Sequence, residues 1–216
     1  MSLGTSKAGR PRIPPRPAPE EAGADARERI IRTAYELFTR HGLTAVGVDR
    51  IVAEAGVAKT TLYRHFRSKD DLIAEVLERH HQLWLRDWLE PETCKRGASP
   101  ADRLLAVFAI LDEWFGDENF QGCLSINSLL EAHDRSGAVP NAAITAIDDV
   151  YAFLERLAVE ANVREPERLA QQLHLLVRGT IVAAAQGRPD AVQEASVLAR
   201  QLVEQALPAQ QLVEQA

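Results

Sequence analysis

The chain's 216 residues suffice for one large domain or two small ones, and 46% hydrophobic with 26% charged residues is the composition of an ordinary globular protein. Its formal charge of −6 is unevenly divided: residues 1–71 hold 13 Lys and Arg against 9 Asp and Glu (+4), and residues 72–216 hold 12 against 22 (−10). Apolar runs too short to span a bilayer argue against a membrane helix, and 2 cysteines argue against a disulfide framework or zinc knuckle; only the basic first third suits a polyanion.

No N-terminal segment has the apolar core of a signal peptide, so a cytoplasmic location is the expectation. Residues 1–24 hold 5 of the 11 prolines together with Lys7, Arg10, Arg12 and Arg16, which predicts a flexible basic arm. From Asp25 onward the pattern is helical, and the strand signature of alternating residues between turn pairs is missing. A first helix is expected from Asp25, with Glu28 closing a capping box and Ile30, Ile31, Ala34, Leu37 and Phe38 at helical spacing. A short helix follows over about Val48–Ala55. Gly56 turns the chain into a third helix near Ala58–Phe66. Ser68 and Asp71 form a cap that starts a long fourth helix, expected to end near Leu89.

Ser99-Pro100-Ala101-Asp102 opens a helix through Phe115, and another is expected over about Gly122–His133. Pro140 and Pro166 suit the first turns of two further helices, ending near Glu160 and Gln186. Gly187–Asp190 separates these from a last helix near Asp190–Ala206. Gln201–Ala206 recurs once, at Gln211–Ala216, as a frayed tail. The whole reads as an all-α protein: arm 1–24, a three-helix unit 25–71 with a helix-turn-helix, a helical body 72–206, and a tail 207–216.

The stretch Ile51–Lys69, IVAEAGVAKTTLYRHFRSK, carries the functional signal. Two short helices joined through Gly56-Val57 make a helix-turn-helix, with Ile51, Val57, Leu62 and Phe66 as buried anchors. The second helix then presents Lys59, Thr60, Thr61, Tyr63 and Arg64, with no acidic residue from Val57 to Lys69, as a helix facing phosphates requires. Short hydroxyls near its N-terminus reach base edges or phosphates.

This string resembles the DNA-binding signature of the tetracycline-repressor (TetR) family of bacterial regulators, closely from Ala34 to Leu72 through AGV, LY-x-HF and SK-[DE]-x-L. Beyond that stretch the likeness is one of layout. Ala58 stands where family members carry a capping Ser, at a cost of about 1 kcal/mol, and Val48 replaces a frequent Thr or Ser. The resemblance implies that Lys59, Thr60, Thr61 and Tyr63 enter the major groove. It places Tyr63, His65 and Lys69 against phosphates, with Thr44 holding the backbone. The alternative for Tyr63 and His65 is packing of the third helix on the first. In the arm, Gly9-Arg10-Pro11-Arg12 is similar to the core of minor-groove AT-hooks, against a plainer reading as a solvated basic tail.

In the helical body, Trp88, Trp114, Phe120, Asn127 and Arg178 are the candidate ligand residues, alongside Cys123, Glu131, His133 and His174. A mostly apolar cavity with a few polar fixtures is the default ligand site between bundle helices. The resemblance implies an apolar or aromatic effector there, with the fourth helix transmitting the switch when a ligand wedges beside Trp84 or Trp88. It also implies a homodimer through the last two long helices. Their stripes are Leu169, Leu173, Leu176, Val177, Thr180 and Ala184, then Val192, Ala195, Leu198, Ala199, Leu202 and Val203; these equally suit closing the subunit's own bundle.

The expected function is a DNA-binding regulator, a repressor released from a palindromic operator, with no cofactor and no metal. Its rivals are an effector-independent DNA-binding protein and a helical metalloenzyme. For an enzyme no nucleophile elbow, phosphate loop or dinucleotide fingerprint is present. Glu78-Arg79-His80-His81 supplies one Glu-x-x-His where a di-iron bundle needs two, and His80 and His81 are expected on the surface.

Overall fold

The computed structural model describes residues 25–118, 120–132 and 136–208, and no strand occurs among them. The elements are α1 (Ala26–His41), α2 (Val48–Glu54), α3 (Lys59–His65), α4 (Lys69–His81), a π-helical segment (Gln82–Leu89), α5 (Glu90–Arg96), α6 (Pro100–Phe115), α7 (Leu124–Glu131), α8 (Ala138–Glu160), α9 (Pro166–Ala185) and α10 (Ala191–Ala206). The arm 1–24 with Gly9–Arg12, His133, and the second copy of the repeat at Gln211–Ala216 lie outside the described residues.

Caps explain most of the boundaries. Ser68 Oγ accepts from the Asp71 amide at 3.0 Å, opening α4. Ser99 and Asp102 form a reciprocal capping box ahead of α6. The corresponding box at Asp25 is not formed, because Glu28 is taken by Arg79, 3.0 Å away on α4. Between α2 and α3, Gly56 adopts φ +63°. The Gly56 and Val57 amides donate back to Ala53 and Val52, closing the end of α2 as a Schellman motif. A Cβ on Gly56 would meet nothing, so the glycine is there for its backbone angle.

The fourth helix does not stop at Leu89. It widens into the π-helical segment and runs on through α5 to Arg96. The cause is Pro91, which lacks an amide hydrogen and whose ring collides with the carbonyl four residues back in a regular α-helix. The wider turns come immediately before it, with the Glu90 amide donating to the Leu85 carbonyl.

The apolar side chains form two cores. Ile30, Ala34, Phe38, Ile51, Leu62 and Phe66 from the first three helices bury against Leu72, Val76 and Leu77 of α4, joined by Leu124, Val139 and Ala143 from α7 and α8. Trp84, Leu85, Trp88 and Leu89 pack into a second core with α6, α8, α9 and α10. The long helix belongs to both. Leu207 is buried in the second core, and the Arg164 amide donates to the Ala206 carbonyl beside it.

His80, expected at the surface, is instead 7% exposed. Its Nδ1 lies 3.1 Å from the Tyr35 hydroxyl, across the α1–α4 contact. His81 is partly buried and pairs with Asp149 of α8 at 2.8 Å. The sequence pattern misleads because α4 is covered on two sides, by α1 and by α8. Burial pushes the His80 imidazole down to about 4, helped by neighbouring His81, and burial with Arg178 nearby does the same for His174.

Two outcomes follow. Gly56→Ala forces a Cβ into left-handed backbone and lowers unfolding stability by about 1–2 kcal/mol in urea titrations. Histidines whose native pKa is depressed bind protons more readily when unfolded, so between the ordinary 6.5 and about 4 acidification favours unfolding. The slope is up to about 1.4 kcal/mol per pH unit for each histidine. Urea midpoints taken from pH 6.5 to 5, above the carboxylate range, fall more steeply in the native protein than in His80→Gln; parallel slopes would refute the assignment.

Candidate nucleic-acid interface and effector cavity

The α3 helix stands on α1 and α2 through Leu62 and Phe66, both buried, and turns its other face outward. Lys59, Thr60 and Arg64 are exposed, Thr61 is partly buried, and Tyr63 keeps 46% of its surface in solvent. The face holds no carboxylate of its own. The sequence does not show that Asp49 of α2 reaches it: Lys59 Nζ donates to Asp49 Oδ1 at 2.7 Å, and both side chains are largely exposed. Arg64 makes no ion pair among the described residues.

The remaining residues of the expected DNA surface are held more tightly by the protein. His65 is half-buried beside the Phe66 ring, 6.4 Å between centroids, and its Nε2 is buried without a partner among the described residues. Lys69 Nζ donates to the Leu43 carbonyl at 2.6 Å and lies over the Phe38 ring. The amide and hydroxyl of Thr44 both donate to Glu131 Oε2 at 3.0 Å, as does the Leu43 amide. The loop between α1 and α2 is therefore held from both sides, by Lys69 at the root of α4 and by Glu131 at the end of α7.

In the helical body the aromatic candidates pack on one another. Trp88 and Trp114 are buried with Trp84 at centroid distances of 5.6–6.1 Å, and Phe120 stands edge-on to Trp114 at 5.0 Å. Asn127 turns away to donate to the Gln121 carbonyl. The open space lies beside this cluster: a cavity of about 30 Å³ walled by His80, His81 and Trp84, by Cys123, Ser125 and Ile126 around the start of α7, by Ala146 and Val150 of α8, and by His174, Val177, Arg178 and Ile181 of α9. Of the five expected ligand residues only Arg178 lies on its wall. Trp84, beside which a ligand was expected, is on the wall with Cys123 and His174, also named as possible ligand groups; His80 was expected at the surface, and no local pattern marks it. Burial raises the Cys123 thiol above its ordinary range and keeps it protonated. Among the described residues no three His, Cys, Asp or Glu side chains converge as metal ligands.

Residues 30–76 match the family described as bacterial regulatory proteins, tetR family. The transcriptional repressor NemR of Escherichia coli (strain K12) is 27% identical over 168 residues, covering 74% of this chain and 84% of NemR. Its solved reduced form superposes with a TM-score of 0.72 at 24% identity, covering 82% of this chain and 97% of that one. A TetR-family transcriptional regulator from Streptomyces coelicolor superposes with a TM-score of 0.74, again at 24% identity, over 85% of this chain and 96% of that one. The helix-turn-helix thus lies within residues that match the tetR family of bacterial regulatory proteins, and the helical body that carries it shares the fold of solved regulators.

Proposed function

We propose that the protein is a sequence-specific transcriptional repressor that leaves a palindromic operator when a small molecule enters its helical body. The observation that carries this reading is the outward face of α3, where Thr60, Tyr63 and Arg64 are exposed and no acidic residue intervenes. Lys59, Thr60, Thr61 and Tyr63 serve as the groove-entering set, and Arg64 as a phosphate contact. For Thr44 and Lys69, contact with phosphate means sharing or giving up their present partners; His65 contributes chiefly by packing. NemR's name as a repressor supports the direction of control.

The partner is a second copy of this chain. Most of the two expected stripes are spent inside the subunit: Leu169, Leu173, Val177, Val192, Ala199 and Val203 are all buried. Leu198 of the second stripe is exposed, and the other exposed apolar side chains lie outside both stripes, with Leu175 (61% exposed) and Val182 flanking Gly179 on α9 and Val197 on α10. Exposed apolar side chains on two helices that pack on each other suit an isologous interface. Such a dimer sets two α3 helices about 34 Å apart, one turn of duplex. Its place of action is the cytoplasm, with the DNA. The switch runs through α4, whose shift alters the spacing of the two reading heads.

Capture of fragments from bacterial genomic DNA by the full chain tests the reading, and enrichment of no sequence would sink it. On an enriched fragment, Arg64→Ala weakens binding to all sequences and lowers the slope of log affinity against log salt by about one. Thr60→Ala instead changes preference at particular base pairs, by about 1–3 kcal/mol. Leu175→Glu with Val197→Glu shifts the protein to monomers in sedimentation and abolishes palindrome binding at concentrations that saturate the native protein; an unchanged dimer would move the interface elsewhere.

A further inference from the structure

Among the described residues, two buried polar atoms on side chains one helical turn apart are left without partners: Nε2 of His80, near the end of α4, and Nε1 of Trp84. Both residues are more than nine-tenths buried, and both line the same cavity. A buried donor without an acceptor costs enough that native proteins rarely retain one unless something else supplies the missing atom. The indole nitrogen only donates. The imidazole is kept neutral by burial, and its Nδ1 lies 3.1 Å from the Tyr35 hydroxyl; we assign the hydroxyl as the donor of that bond, the tautomer that leaves the proton on Nε2. The rest of the inner wall is mostly apolar, from Ile126, Val150, Val177 and Ile181, with Cys123, Ser125 and His174 as its other buried polar side chains.

We propose that this cavity receives the effector, and that the effector is a compact, largely apolar carbonyl compound whose oxygen accepts from Trp84 Nε1 and His80 Nε2. The assignment rests on reading the chain as an effector-released regulator. An uncharged oxygen with two lone pairs matches two neutral donors. A carboxylate does not, because the one permanent cation of the wall, Arg178, is exposed, and desolvating an ionised group costs more than neutral donors return.

The cavity also dictates what binding does. Its 30 Å³ takes about two water molecules. A larger occupant parts α4 from α8 and α9, and His80 sits on the wall that moves. The same ring is bonded to Tyr35 on α1, so displacement of His80 pulls directly on the DNA-binding unit. Ligand and operator then oppose one another reciprocally, as coupled sites must.

The test uses the full-length protein with cyclohexanone, 2-heptanone and acetophenone, each against a hydrocarbon of the same shape: methylcyclohexane, heptane and ethylbenzene. The indole N–H signal of Trp84, identified by its absence in Trp84→Phe, shifts saturably with a ketone, and the best ketone binds about tenfold more tightly than its hydrocarbon. Trp84→Phe narrows that preference to about threefold or less. Equal affinity for ketone and hydrocarbon, tighter binding of cyclohexanecarboxylate, or no ketone saturating below about 10 mM would each overturn the assignment. The comparison of ketone with hydrocarbon on the native chain stands whether or not the variant folds. Genomic DNA capture is run on the same preparation: DNA bound without ketone binding overturns the cavity assignment alone, and ketone bound without DNA capture overturns the regulator reading alone. Where both bind, Tyr35→Phe retains the ketone and loses most of the ketone-driven release; release unchanged in that variant would refute the route through His80.

Discussion

One continuous helix is anchored in two hydrophobic cores at once. Leu72, Val76 and Leu77 bury it among α1–α3, and Trp84, Leu85, Trp88 and Leu89 bury it in the helical body. Each such side chain contributes about 1.5–3 kcal/mol by leaving water, so neither core can release the helix without losing several of these contributions together. The two parts of the molecule consequently share one rigid member. His80 stands where the two sets of anchors meet, with Tyr35 on one side and the cavity on the other. Ion pairs from Arg27 to Glu75 and from Arg79 to Glu28 lock the outer flank of the same α1–α4 contact.

A second connection runs through α7. Its first turn borders the cavity at Ser125 and Ile126, and its last residue, Glu131, accepts three hydrogen bonds from the loop before α2. A carboxylate facing two backbone amides and a hydroxyl is well satisfied in charge-assisted bonds, shorter and stronger than neutral ones. Both ends of a short helix are thus committed, one to the cavity wall and one to the loop between α1 and α2.

Much of this was legible in the residues. Capping at Ser68 and Ser99, prolines in the first turns of α8 and α9, and the glycine between α2 and α3 are local instructions that survive folding. The outward set on α3 was readable for the same reason: α3 is short, and its anchors Leu62 and Phe66 leave one face for solvent. What could not be read depended on contacts between distant segments. The partnership of Thr44 with Glu131 spans 87 residues, and that of Tyr35 with His80 spans 45. The aromatic cluster was visible as composition, yet Trp88, Trp114 and Phe120 consume one another's surfaces, and the space is left beside Trp84. The stripes on α9 and α10 show the same limit. Periodicity marks an apolar face without saying whether it closes the subunit or meets a second one.

The pairing of Lys59 with Asp49 gives the reading helix a resident counterion. A lysine that is solvated before it meets DNA gains the full benefit of shedding condensed salt ions from the duplex. On the proposed contact of α3 with DNA, the ammonium must exchange one oxygen for another, and the displaced carboxylate is left close to the phosphates. Lys59 therefore adds little to loose, sequence-blind attachment along a chromosome. Its contribution is reserved for sites where the duplex offers geometry good enough to win it away from Asp49, which sharpens the contrast between an operator and the mass of other DNA around it.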